Sequence, residues 1–533
     1  MVRSKHISKG VFALALLFVS SSPALATPRE NYYTESLGES SWNSDTNYQD
    51  KATLTFTPAD NSAYLIIASW QLQMSSNNYI GYSKLIRSSG TPTDLHERVH
   101  LPKDNTDYVA GGSAIVESFG ATPGSQTYKI QYRTSSTSGF ARIKNASIIA
   151  IRLNSDDQYT SSTARSTTTS STYQDKATLT FTPTTSGDYL IIASASVDSS
   201  STSRDWRAQL DIDGSTYNNS NVEPVSATNR NSWGAFRKVN LSNASHTAKI
   251  QYSIESGGTA GITYAHLIAL RLDQFAANYY GETNTYTTYA STSYQSHASL
   301  TATPAAADHL ILGYSGGSSG SGTYSGFWQL EKGGFSYAEM LVEPRDNTTR
   351  GFPYFITRKE SLSATSTTWN MQAHTENASI IVGIKDSQIA VLELNEPAAP
   401  PAISISLSTD GAVAFGLQAL NTARDTTASD LNDVETISVD TGPADLDIQS
   451  TSFTESTNTW TLGSGNGSDT VKWEYSKDGS AWNTFLAPAT NYAFDTNVTQ
   501  GATRSLYLRL TTPTATNFFN QFTSTITVTA SAP

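Results

Sequence analysis

Apolar and polar residues alternate along "QDKATLTF" (49–56): Ala52, Leu54 and Phe56 fall on one side, and Lys51, Thr53, Thr55 and Thr57 on the other. That period of two predicts a β-strand with one buried face. Nearby, "YLIIAS" (64–69) is a continuous apolar run bounded by turn residues. Its brevity and β-branched content predict a buried strand rather than a helix. Turn signals punctuate the chain at short intervals, as in "PADN" (58–61), "SSG" (88–90), "TSG" (185–187) and "IDG" (212–214). Many short strands spaced in this way predict antiparallel β-sandwiches.

The pattern repeats. "YQDKATLTFTP" occupies 48–58 and again 173–183, and "YQSHASLTATP" occupies 294–304. Each copy is followed by a second shared strand: "YLIIAS" (64–69), "YLIIAS" (189–194) or "HLILGY" (309–314). Each closes on "IIAIRL" (148–153), "LIALRL" (267–272) or "IAVLEL" (389–394). The period of roughly 120 residues is that of a whole domain, not of a solenoid unit. Leu54, Leu179 and Leu300 are expected to hold one core position in three copies. The expected organisation is repeat 1 over 27–154, repeat 2 over 155–273 and repeat 3 over 274–394. A Pro/Ala linker follows over 395–401 ("NEPAAPP").

The stretch "FTPTTSGDYLIIASASV" (181–197), followed by "AQLDIDG" (208–214) and an aliphatic closing strand, resembles the jelly rolls of complement-type globular heads and tumour-necrosis-factor-like domains. It is also similar to repeats of secreted bacterial surface proteins. The resemblance implies a binding or structural module and no enzyme. Residues 402–533 differ in kind. "TWTLGSGNGSDTVKWEYSKDGSAWNTF" (459–485) reads as strands joined by Gly-rich and Asp-Gly turns, and it resembles an immunoglobulin-like sandwich. The fold class expected is therefore all-β: three tandem antiparallel jelly-roll-like β-sandwiches followed by an Ig-like β-sandwich.

The first residues change the compartment. Arg3, Lys5 and Lys9 precede the apolar "VFALALLFV" (11–19) and a small-x-small site at "ALA" (24–26). Residues 1–26 thus read as a secretory signal peptide, too short in its apolar part to span a bilayer. The expected location is secreted or extracellular, with cell-surface association. The formal net charge is −12, and removal of those three cations makes it more negative. That balance opposes nucleic-acid binding. No later apolar run is long enough for a membrane span. The absence of cysteine leaves an exported chain without disulfides, held by its cores alone.

Candidate chemistry is sparse. "HERVH" (96–100) fits the zinc-protease expression, but that motif works on a helix, and here turn residues flank it on both sides. No zinc site is expected. "DIDG" (211–214) resembles the start of a calcium loop, yet Glu223 falls one position late for the closing ligand, so a polar hairpin turn is the reading preferred. Asp425, Asp430, Asp433, Glu435, Asp440, Asp445 and Asp447 form an acidic stretch in the last domain. Carboxylates on sandwich loops can bind Ca²⁺, but ordinary solvated turn residues are the reading preferred, and no cofactor is expected. "GGSSGSG" (316–322) reads as a flexible loop. No catalytic residue stands out. The candidate ligand contacts are aromatic: Trp206, Trp233 and Trp328, beside Phe327, sit among polar neighbours where a ring can stack on a sugar. Core packing is the alternative.

The residues therefore point to a non-catalytic structural or adhesive protein that meets an extracellular protein or a glycan surface. A carbohydrate-binding array is the second reading, and a glycosidase or metal-dependent hydrolase the third. The outward residues Lys51, Thr53, Thr55 and Thr57 suit water, and the junction "NSDDQ" (154–158) is short and polar. The three sandwiches are accordingly expected to be joined but not merged, in an elongated chain.

Overall fold

The structure is a computed structural model; it describes residues 30–120, 123–345, 350–394, 403–407 and 411–531. The signal segment 1–26 and the linker 395–401 lie outside the described residues. The architecture is all-β, with no α-helix among the described residues. Ala26–Pro397 forms one compact unit, and Ala398–Pro533 belongs to a second.

Repeat 1 contains β1 (Asn31–Ser36), β2 (Gln49–Phe56), β3 (Ala63–Met74), β4 (Gly81–Arg87), β5 (Thr93–His100), β6 (Tyr108–Ser118), β7 (Gln126–Thr134) and β8 (Ala141–Arg152). Repeat 2 contains β9 (Gln158–Ser162), β10 (Ser166–Thr168), β11 (Gln174–Phe181), β12 (Gly187–Ser199), β13 (Trp206–Ile212), β14 (Ser215–Val222), β15 (Arg230–Leu241), β16 (His246–Ile254) and β17 (Ala260–Arg271). Repeat 3 contains β18 (Asn278–Thr283), β19 (Thr287–Tyr289), β20 (Gln295–Ala302), β21 (Asp308–Ser319), β22 (Gly326–Lys332), β23 (Phe335–Val342), β24 (Arg350–Ser361), β25 (Thr367–Thr375) and β26 (Val382–Glu393). Each repeat folds as two antiparallel layers. In repeat 1 these are β1-β8-β3-β6 and β5-β4-β7-β2, in the jelly-roll manner.

The layers do not stop at the repeat boundaries. The first layer of repeat 1 continues through β6 into β23 of repeat 3. The first layer of repeat 2 continues through β15 into β5 of repeat 1, and that of repeat 3 through β24 into β14 of repeat 2. Each junction is a single register pair: Tyr108↔Leu341, Arg230↔Val99 and Arg350↔Asn221. Three sheets thus close a ring of three repeats, and each repeat gives one layer to each of two sheets.

This ring overturns the expected elongated arrangement. The reason lies in the second strand of each repeat, not the first. In β3, Tyr64, Ile66, Ala68 and Trp70 face the sandwich interior. Leu65 and Ile67, on the opposite face, pack into a separate apolar cluster. The same cluster takes Leu190 and Ile192 from β12, and Leu310 and Leu312 from β21. Ile149 and Ile151, Ile268 and Leu270, and Leu392 from the closing strands complete it, all fully buried. A strand interior that is apolar on both faces needs two partners. Burial of each such side chain contributes about 1.5–3 kcal/mol, so the central cluster holds the three repeats together.

The opening strands behave as their alternation predicts, with one correction. Leu54, Leu179 and Leu300 are buried at equivalent places. Thr53, Thr55, Thr178 and Thr180 are exposed. Lys51 and Lys176, however, are not part of that outward row. The register shifts between Asp50 and Ala52, and between Asp175 and Ala177, so each lysine is a β-bulge residue. A bulge re-aims its extra side chain: Lys176 is buried, and its ammonium donates to the Ala164 carbonyl and to Ser166 Oγ.

The stretch "GGSSGSG" is likewise not a free loop in its first half. Gly316–Ser319 belong to β21. A Cβ at Gly317 would lie 2.3 Å from the Trp328 indole, so glycine there makes room for a core ring. Among the described residues the C-terminal unit is a two-layer sandwich of eleven strands, β27 (Ser404–Leu407), β28 (Ala423–Asp425), β29 (Glu435–Thr441), β30 (Ala444–Ser450), β31 (Phe453–Glu455), β32 (Asn458–Leu462), β33 (Thr470–Ser476), β34 (Asn483–Thr484), β35 (Tyr492–Val498), β36 (Thr503–Thr511) and β37 (Ile526–Ser531). Its core gathers Trp473, Phe453, Phe485, Ile448 and Leu508 between the layer β27-β29-β36-β33-β32-β31 and the layer β35-β30-β37.

Candidate functional site

The tryptophans singled out as ligand contacts are core residues. Trp206, Trp233 and Trp328 are each 0% exposed. Trp328 Nε1 donates to the Gly383 carbonyl at 3.0 Å, inside the sandwich. Polar sequence neighbours do not make a strand residue exposed, because strand side chains alternate: Arg207, next to Trp206 on β13, is half-exposed and bonds Asn221 and Glu255. Phe327 is stacked on His374 with centroids 4.0 Å apart.

The other motifs fall as follows. "HERVH" lies on strand β5, with His96 and His100 both buried. Asp213 and Gly214 form the two-residue turn of the β13–β14 hairpin, both at positive φ, the geometry that favours Asp-Gly. In the acidic stretch, Asp430 pairs with Arg424 at 2.6 Å and Asp425 accepts from Thr427. No group of three or more His, Cys, Asp or Glu is assembled for a metal among the described residues.

A different pair of aromatics is exposed. Trp42 and Phe140, each 42% exposed, line a cleft of about 430 Å³ with Gln73, Ser75, Asn105 and Thr106. Trp42 lies between β1 and β2. The backbone there is pinned to β8 by the Asn43↔Ala141 bridge and by Ser40 N–H donating to the Ile143 carbonyl at 2.9 Å. Phe140 immediately precedes β8. Its N–H donates to Ser75 Oγ at 3.1 Å, and Ser75 N–H donates to the Phe140 carbonyl at 2.9 Å.

The walls of the cleft are tied together from behind. Arg142 lies over the Trp42 ring at 4.3 Å. Its Nε–H donates to Gln73 Oε1 at 2.6 Å, and it pairs with Glu39. Gln73, nearly buried, passes a hydrogen bond on to the Asn105 carbonyl at 2.7 Å. Asn105 and Thr106 belong to a loop anchored by buried Asp107, which accepts from Glu343 N–H at 2.8 Å in repeat 3. Burial pushes the Asp107 carboxyl well above the ordinary range, against the opposing pull of the backbone N–H bonds it accepts. Lys103 reaches Glu343 at 3.3 Å and fixes the same loop to repeat 3.

These ties leave a defined set of free groups. Trp42 Nε1–H and Asn105 Oδ1 have no hydrogen-bond partner among the described residues. The named lining side chains are uncharged. The cleft therefore offers two ring faces, donors at the Trp42 indole N–H and at the Ser75 hydroxyl, whose oxygen only accepts from Phe140 N–H, and an acceptor at Asn105 Oδ1, held in fixed positions. Its volume falls in the usual range for small-ligand sites, about 300–1,000 Å³.

The other repeats lack this cleft. Register pairs place Thr167 and Thr288 where repeat 1 has Trp42. Thr259 and Ile381 precede the strands equivalent to β8, where repeat 1 has Phe140. In repeat 2 the corner is closed by Arg165, which holds Asp198 through two hydrogen bonds. In repeat 3, Tyr286 and Ser318 share a hydrogen bond at 3.0 Å across it.

No protein-family model matches the chain, and no curated protein matches it. Among solved structures, the chain is similar to PNGF-II, with 9% identity, a TM-score of 0.23 and coverage of 46% of this chain. The chain spans 65% of the length of that structure. It is also similar to the triple jelly roll protein of the turret assembly of an archaeal virus, with 10% identity and a TM-score of 0.17, over 64% of this chain and 82% of the other. A third is the CBM22-1–CBM22-2 tandem domain of Paenibacillus barcinonensis Xyn10C, with 11% identity and a TM-score of 0.14, over 43% and 92%. Likeness at this level concerns the fold alone.

Proposed function

We propose that this is a non-catalytic, secreted or cell-surface structural and adhesive protein. The signal-like N-terminus supports export. The complement-type and tumour-necrosis-factor-like resemblance of the repeats, and the Ig-like resemblance of the C-terminal sandwich, support a binding or spacing role. One observation carries the reading furthest: the pre-organised Trp42–Phe140 cleft on a block whose sheets run from repeat to repeat. Such a cleft suits a neutral saccharide. Sugar C–H faces stack on aromatic rings, and hydroxyls both donate to an amide oxygen and accept from an indole N–H. Because only repeat 1 carries the pair, the glycan reading becomes a single site rather than an array.

The test is binding of the purified chain to neutral polysaccharides and their oligomers by calorimetry, with reducing-sugar release assayed in parallel. We expect saturable binding that weakens at least tenfold in Trp42→Ala and is unchanged in Thr259→Ala on repeat 2. Binding unaltered by Trp42→Ala would remove the cleft from the function, and sustained sugar release would refute the non-catalytic reading.

A further inference from the structure

The three junctions of the ring are built alike but not filled alike. His96 on β5 occupies the place of Asn218 on β14 and Ala338 on β23, as fixed by the pairs Val99↔Arg230, Asn221↔Arg350 and Leu341↔Tyr108. Across the junction, His266 on β17 takes the place of Gln388 on β26 and Ser147 on β8, by pairing with Ser194 as these do with Tyr314 and Ser69. Between repeats 2 and 3 the two places hold amides joined by one hydrogen bond, Asn218 Nδ2–H donating to Gln388 Oε1 at 2.7 Å. Between repeats 1 and 2 the same two places hold imidazoles. A third, His100, stands where repeat 2 has Val222 and repeat 3 has Val342.

These rings are packed as neutral groups. His96 is fully buried; its Nε2 meets Ser232 Oγ at 2.8 Å, and its Nδ1 finds no partner within the chain. Neither ring nitrogen of His100 has a partner, nor does His266 Nδ1. The groups facing them do not welcome a proton. From β5 itself comes buried Arg98, whose guanidinium donates to the Ala110 carbonyl of β6 at 2.6 Å and to Asn231 of β15 at 3.3 Å. From β12 comes Ser196, from β15 Arg230, and from β17 the Tyr264 ring, with its centroid 6.4 Å from that of His96. Trp70 of β3 approaches edge-on at 6.3 Å. The nearby carboxylates already have cations: Glu97 pairs with Arg230, Asp94 with Lys84 and Asp198 with Arg165. Burial, with the neighbouring His266, Arg98 and Arg230, pushes His96 down to about 3. Burial pushes His266 down to about 4, and burial together with Arg98 holds His100 well below the usual range.

We propose that the junction of repeats 1 and 2 is an acid-sensitive latch: as the pH falls below the ordinary histidine range of about 6.5, protons taken up by His96, His100 and His266 part β5 from β15 while the other two junctions stay closed. The opened form binds protons that the closed form refuses, so acid favours opening and stability rises with pH. The contribution is complete above about pH 6.5. It is lost progressively as the pH falls toward the low values of the closed state. Each histidine kept neutral shifts the opening equilibrium about tenfold per pH unit in that window.

The test compares the full chain with H96N/H100V/H266Q, which installs the repeat 2 and repeat 3 residues. Thermal midpoints are followed from pH 7.5 to 4.5. We expect the wild-type midpoint to fall steeply below pH 6.5, and the triple variant to lose most of that slope. H246N, at a histidine paired with Asp213 at 2.7 Å outside the junction, should keep the wild-type slope. Equal slopes in wild type and triple variant would overturn the proposal. If the triple variant fails to fold, ¹⁵N-histidine NMR of the wild type decides: His96, His100 and His266 should stay neutral while the protein is closed, and titration of any of them near 6.5 with the structure intact would overturn it.

Discussion

The strands β2 and β3 are consecutive and opposite in what their outer faces do. Along β2 burial alternates, with Leu54 and Phe56 inward and Thr53 and Thr55 in water. Along β3 nearly every residue is buried. The outward side of β2 is a surface, whereas the outward side of β3, through Leu65 and Ile67, is the wall of the central cluster. The oligomer-like character of the block is therefore written in the second strand of each repeat and the closing strand beside it. A reading based on β2 gives the wrong shape.

The difference can be broken at its strong end. Ile192 sits in the central cluster at 0% exposure, surrounded by apolar side chains from all three repeats. Ile192→Asp places an unpaired carboxylate there, at a cost of several kcal/mol or neutralisation of the group. We expect the Ala26–Pro397 block to lose cooperative folding, seen as loss of the near-ultraviolet signal and of a sharp thermal transition. A wild-type midpoint would mean that the cluster is not packed as described.

A middle effect comes from the inward face of the first strand. Leu54→Ala, Leu179→Ala and Leu300→Ala should each destabilise by about 2–5 kcal/mol. Because sheets are shared between repeats, each substitution should move one common transition in calorimetry. Three separate transitions, only one of them displaced, would show instead that the repeats unfold as independent domains.

The weakest effect belongs to the outward face. Thr53→Ala and Thr178→Ala remove exposed hydroxyls and should stay within about 0.5 kcal/mol of wild type. A loss above 1 kcal/mol by chemical denaturation would mean that this face, too, is covered.

The repeats, their strands and the inward leucines were legible because period-two alternation and turn residues are local signals. The ring was not, although part of the signal was present. A continuous run such as "YLIIAS" demands cover on both faces, and one sandwich interior supplies only one. What covers the second face is decided by residues far along the chain, which no window of the sequence contains. The buried tryptophans show the reverse: polar neighbours in sequence are not polar surroundings in space, since adjacent strand residues face opposite ways. Trp42 and Phe140 lie outside the stations the repeats share. Their signal is a departure from the repeat, aromatic in one copy and absent from the same place in the other two.

Ring closure also constrains the order in which the polypeptide can acquire its structure. Ser69 Oγ in repeat 1 donates to the Thr357 carbonyl of repeat 3, 288 residues away, and β6 has no neighbour on its far side until β23 exists. A chain emerging from its N-terminus must hold repeat 1 with an open sheet edge and an uncovered Leu65–Ile67 wall until the third repeat arrives. Contacts of such sequence separation slow folding, and exposed edges recruit other chains. A fragment ending before β23 should therefore collect into aggregates or exchange its missing layer with a second copy.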